Sequence, residues 1–106
     1  MSRPDSERLL DIQLACEAIT SYVARIDADE DLVFDAIRAR LIEVGEAVKD
    51  LNPALLSREP DISWAEIARM RDHLTHRYFD TNHAIVRSTA ITDVPRLLAA
   101  VRRLRT

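Results

Sequence analysis

An all-α fold is predicted by three features of this 106-residue chain. It contains one glycine, four prolines and no Asn-Gly or Asp-Gly pair, so the turn chemistry of a hairpin-rich β protein is missing. Apolar residues recur at three- and four-residue steps through most of the sequence, the period of a helix with one buried face. The start signal before Trp64 is complete: Ser63 fits an N-cap, Glu66 closes a capping box, and Ile62 and Ile67 form a hydrophobic staple.

Taken in order, Leu9, Ile12, Cys16, Ile19, Val23 and Ile26 predict a first helix over residues 5–27. The acidic run Asp27-Ala28-Asp29-Glu30-Asp31 interrupts that seam. A second helix follows to about Leu51, with Val33, Ile37, Leu41, Val44, Val48 and Leu51 facing inward. Gly45 lies in its middle, where glycine costs about 1 kcal/mol relative to alanine. Its presence points to close approach of another helix. Asn52-Pro53 ends this helix and caps a short turn through Leu56. The helix from Trp64 is expected to end near Phe79, with Asp80-Thr81-Asn82 as a turn and Asn82 as a cap. The final helical stretch, 83–105, should break or kink at Asp93-Val94-Pro95, because proline suits a first helical turn but not an interior one. The expected architecture is one domain, 1–106, built as a bundle of four main helices plus short helical pieces.

Composition narrows the functional classes. With 47% hydrophobic and 31% charged residues the chain is neither disordered nor membrane-spanning. Met1-Ser2-Arg3-Pro4-Asp5 has no apolar signal-peptide core, so a cytoplasmic location is expected, with no membrane partner. The one cysteine, Cys16, lies on an apolar stripe and reads as a small buried hydrophobe. Charge is unevenly spread. Residues 1–68 hold 7 Arg/Lys against 15 Asp/Glu, a net of −8, and residues 69–106 hold 8 Arg against 3 Asp, a net of +5. Two readings fit: a footprint for a polyanion, or charge balanced between neighbouring helices.

The basic part contains Arg71-Asp72-His73-Leu74-Thr75-His76-Arg77-Tyr78, an Arg-x-x-x-x-His-x-Tyr pattern. Arginine offers a fixed fork of donors to a phosphate. Histidine moves protons near neutral pH. Together they suggest phosphodiester chemistry. Plainer roles are open for each: His76 as a core or helix-end histidine, Tyr78 as a packed aromatic, Trp64 as a core anchor. His73, His76 and His83 are spaced three and seven apart with a turn between, a poor metal set. No metal or cofactor is expected.

Several segments, in order and spacing, carry a resemblance: Leu41-Ile42-Glu43-Val44-Gly45-Glu46-Ala47-Val48-Lys49, Ile62-Ser63-Trp64-Ala65-Glu66-Ile67-Ala68, Met70-Arg71-Asp72, His76-Arg77-Tyr78-Phe79 and Ile85-Val86. Over roughly residues 30–101 the chain resembles HEPN domains of the HepT type. The resemblance implies a HEPN-like helical bundle acting as a metal-independent endoribonuclease toxin. It further implies a homodimer, a type II-like toxin–antitoxin pair with a nucleotidyltransferase of the MNT type, and silencing by adenylylation of the motif tyrosine. Carried over by position, Arg71 and His76 would be catalytic and Tyr78 the AMP acceptor. Asp72 stands where the family often has Asn, and Arg77 where it often has Gly. Asp72 is therefore expected in a supporting role. Arg77 and His73 are candidate RNA contacts.

RNA can be cut by attack of its own 2′-OH on the adjacent phosphate, leaving 2′,3′-cyclic phosphate ends. His76 fits proton transfer and Arg71 fits stabilisation of phosphorane charge. On a straight helix Arg71 and Tyr78 share a face, as do Asp72 and His76. Arg71 and His76 diverge by about 140°. Either the helix distorts near its end, or a second copy completes the site. Glu43 and Glu46 of the second helix either reach Arg71 or lie on an exposed face. A different class of reading makes the chain a non-catalytic docking or substrate-binding subunit for a nucleotidyltransferase. A metal-binding bundle would need inward Glu-x-x-His pairs, which the sequence lacks.

Overall fold

The computed structural model describes residues 3–76 and 83–106, with the side chain of His76 outside the description. Its elements are α1 (Asp5–Val23), α2 (Glu30–Lys49), α3 (Pro53–Leu56), α4 (Trp64–His76), α5 (His83–Ser88), a π-helical turn (Thr89–Asp93) and α6 (Val94–Leu104). Among the described residues there is no strand, and the chain is all-α as predicted. Helix α2 is central: it packs on α1 along one side and on α4 along the other, while α6 closes against α1. The helical seams read from the sequence meet in one core. Ile12, Cys16 and Ile19 of α1, Ile37, Leu41 and Val44 of α2, and Val94 and Val101 of α6 are its most deeply buried side chains. Burying each aliphatic side chain of this size contributes roughly 1.5–3 kcal/mol.

Helix α1 stops at Val23, four residues short of the expected Asp27, and turns carry the chain to Ala28. The acidic run explains the difference: it is the start of α2. Asp29 caps that helix by accepting a hydrogen bond from Leu32 N–H at 3.3 Å. Glu30 and Asp31 occupy its first turn and Lys49 its last, matching both ends of the helix dipole. Ile26 still packs on the core from the turn. Asn52 caps α3 through Ala54 N–H at 2.9 Å, and Pro53 takes the first helical position. Helix α4 begins at Trp64 as its start signal predicts. The half-buried Trp64 donates its indole N–H to the Glu59 carbonyl at 3.0 Å.

The interruption expected near Asp93-Val94-Pro95 takes the form of a π turn. Val94 N–H reaches back five residues to the Thr89 carbonyl, and Pro95 enters α6 in its first turn. Widening the helix just before a proline, which has no N–H to donate, carries the chain through without a break. Asn82 and the segment 77–82, with the predicted turn and the end of the motif helix, lie outside the described residues. Among the described residues, no helix is long and apolar enough to cross a membrane.

Candidate active site

The site is built where α4 crosses α2. Ile67 and Met70 pack on the core and Leu74 is buried within it, which fixes the rotation of α4. That rotation brings Arg71 over Gly45. A Cβ placed on Gly45 would stand 2.3 Å from the Cβ of Arg71 and 3.1 Å from the Ile67 carbonyl oxygen. The close approach inferred from a mid-helix glycine is therefore the approach of Arg71 itself.

One helical position further, Glu46 receives the arginine. Arg71 Nε–H donates to Glu46 Oε2 at 2.5 Å, and Nη1–H donates to Asp72 Oδ1 at 2.9 Å. Of the two glutamates in question, Glu46 is thus the partner, while Glu43 pairs with Arg40 at 3.1 Å. Hydrogen bonds donated to Asp72 and then to Glu46 raise the Arg71 pKa further above its already high ordinary value, so the guanidinium is a permanent cation. Its side chain is only 25% exposed, whereas the Glu46 and Asp72 side chains are about half exposed. Among the described residues its Nη2 has no partner. A guanidinium held at Nε and Nη1 with Nη2 directed elsewhere is an oriented donor for an anionic oxygen.

Helix α4 is α-helical from Trp64 through His76. The two positions are therefore about 140° apart around the axis, and the helix end near Phe79, where a distortion was considered, lies outside the described residues. Thr75 Oγ1–H donates back to the Arg71 carbonyl at 2.9 Å. His73 is exposed, as a candidate surface contact should be. Arg77 and Tyr78 lie outside the described residues. His83 stacks on Phe34, ring centroids 3.6 Å apart. Among the described residues no three His, Cys, Asp or Glu side chains form a cluster able to hold a metal ion.

The surplus basic charge of the C-terminal part is partly met by neighbouring helices. Arg102 pairs with Glu17 at 3.1 Å and Arg103 with Glu59 at 2.6 Å. The Arg103 guanidinium holds the Glu59 carboxyl below the usual carboxylate range. Cys16 is fully buried, and burial followed by the Glu17 charge pushes its thiol up to about 12, so it packs as a small hydrophobe.

Arg38 is a residue the sequence reading missed. Its Nη2–H donates to the Leu74 carbonyl at 2.8 Å, between Arg71 and His76. A signal was present: Arg38 precedes Gly45 by seven residues and so shares the face of α2 that α4 crosses.

Comparison with known proteins bears on this geometry. A family model described as Ribonuclease HepT-like matches residues 12–104. The chain belongs to the HepT-like ribonuclease family. A protein of Thermococcus cleftensis named "Probable ribonuclease HepT" is 34% identical over 110 residues, covering 99% of each chain. A protein of Caldanaerobacter subterraneus subsp. tengcongensis named "Putative RNase" is 35% identical over 107 residues, covering 96% of this chain and 92% of its own. No solved structure matches the chain. The HepT-like match spans most of α1 and all of α2 to α6, so it includes both helices that hold Arg71.

Proposed function

We propose that this HepT-like protein is a metal-independent endoribonuclease toxin, cutting RNA with Arg71 and His76 and silenced by adenylylation of Tyr78. The observation that carries the reading is the placement of Arg71 within a family match of nearly full length: a glycine clears its path and a glutamate fixes its Nε.

The proposed chemistry follows from RNA itself. The 2′-oxygen attacks the adjacent phosphorus and the P–O5′ bond breaks. One proton leaves the 2′-OH to a base, and one is delivered to the departing 5′-oxygen. The products are a 2′,3′-cyclic phosphate and a 5′-OH. Arg71 stabilises the charge that develops on the non-bridging oxygens, and His76 transfers protons. Asp72 supports by holding Nη1 of Arg71. His73 and Arg77 are proposed as contacts to the RNA backbone.

The α-helical path from Arg71 to His76 supports a site shared between two copies, because helical spacing sets the two positions about 140° apart. Two copies would supply two histidines, one as base and one as acid. Exposed Leu10, Leu14, Leu32, Ile85 and Ile91 leave apolar surface for such an association. The antitoxin is proposed to be an MNT-type nucleotidyltransferase, which places AMP on Tyr78. A phosphate there would compete with RNA for the arginine fork.

One observation favours the non-catalytic reading, a docking or substrate-binding subunit for a nucleotidyltransferase: among the described residues both groups that the Arg71 guanidinium meets are carboxylates, which an RNA phosphate must join or displace. The deciding experiment incubates purified protein with single-stranded RNA in EDTA and analyses the new 3′ ends. Cyclic phosphate ends, lost in His76→Ala, support the ribonuclease. Intact RNA supports the docking subunit.

A further inference from the structure

Arg38 is half-buried between α2 and α4. What the arginine adds is reach and rigidity. Its planar fork spans the helix–helix gap and holds the turn of α4 at Leu74 by main chain, at 2.8 Å. The same turn is held on its core side by Leu74, which is 2% exposed. Three residues earlier, Gly45 and Glu46 locate Arg71. One face of α2 therefore fixes both halves of the motif, the arginine through its side chain and the histidine-bearing turn through its backbone.

We infer that Arg38 is a positioning residue for His76: it sets the backbone turn of α4 that carries His76 relative to the Arg71 anchor on α2. The inference rests on the ribonuclease reading and assigns a part of that site outside the Arg-x-x-x-x-His-x-Tyr pattern. Arg38 is not proposed to touch RNA. Misplacing a proton-transfer group by about an ångström costs up to roughly a hundredfold in rate while leaving substrate affinity alone. This separates Arg38 from a phosphate-binding arginine, whose loss weakens binding and lowers the salt slope by about one charge.

The test compares the wild-type protein with Arg38→Ala and Arg38→Lys, using RNA cleavage and amide hydrogen exchange well below the melting temperature. For Arg38→Ala, kcat should fall at least about tenfold with KM within about threefold. Guanidinium ion at a sub-denaturing concentration should restore part of the rate. Exchange should quicken at residues 73–76 and not in the first turn of α4. If Arg38→Ala does not fold, Arg38→Lys, which keeps the charge without the fork, carries the comparison with the same split. Unchanged kcat and exchange overturn the inference alone. A rise in KM with a lower salt slope also overturns it, and makes Arg38 an RNA contact. A wild-type protein that cuts no RNA overturns the ribonuclease reading first and this inference with it.

Discussion

Gly45 and Arg71 touch where α2 and α4 cross, so closely that one added methyl group at position 45 would lie 2.3 Å from the arginine Cβ. The overlap involves the near end of the side chain, and no rotamer of Arg71 can relieve it. Gly45 thereby determines where the Arg71 guanidinium begins, and Glu46 determines where it points.

Gly45→Ala should therefore harm the protein despite a helix-propensity gain of about 1 kcal/mol. Overpacking at a helix crossing costs about 1–3 kcal/mol, and relief requires α4 to move. A lower melting temperature is expected, together with at least a tenfold loss of RNA cleavage as Arg71 shifts. An alanine variant as stable and as active as wild type would show that this crossing does not set the site.

The Cys16 thiol offers a test of the core. Burial pushes it from an ordinary 9.0 up to about 12. Below pH 9 the thiol is protonated in both states and makes no pH-dependent contribution. Above it the unfolded chain releases the proton first, so stability falls by about 1.4 kcal/mol per pH unit until the folded thiol ionises near pH 12. Urea unfolding of wild type and Cys16→Ala between pH 8 and about 10 isolates this effect. The wild type should lose stability more steeply with pH. Parallel curves would mean that the thiol is not buried in solution.

Tyr78→Phe should keep most of the cleavage activity, because the phenol has no assigned proton transfer. It should also escape neutralisation by an MNT-type nucleotidyltransferase. Mass spectrometry after co-expression reads the outcome: an AMP adduct on Tyr78 in the wild type and none in the variant. An adduct on another residue would move the control point elsewhere.

Light scattering is expected to give a dimer, and dilution to the monomer should abolish cleavage. A monomer that still cuts RNA would show that one copy of α4 suffices, whatever the divergence of Arg71 and His76.

Much of this architecture was legible in the sequence because its signals are local. Glycine in the middle of a helix implied a close neighbour, and Asn52-Pro53 implied a cap; both are present. The end of α1 was misread because an acidic run is ambiguous in one dimension. It can close one helix or open the next, and here Asp29 opens α2. The site was only half legible for a similar reason. Glu43 and Glu46 are three residues apart on one helix, and only the crossing of α4 selects Glu46. Arg38 could be singled out only once Gly45 was known to mark the contact face. The motif histidine side chain, Arg77 and Tyr78 lie outside the described residues, so their roles rest on the resemblance.

The most direct test of the central claim is cleavage of single-stranded RNA by purified wild-type, Arg71→Ala and His76→Ala proteins, with circular dichroism on the same samples. The account predicts cleavage by the wild type and at least a hundredfold loss in each variant, with helical content unchanged. Equal cleavage by a folded Arg71→Ala or His76→Ala protein would contradict it.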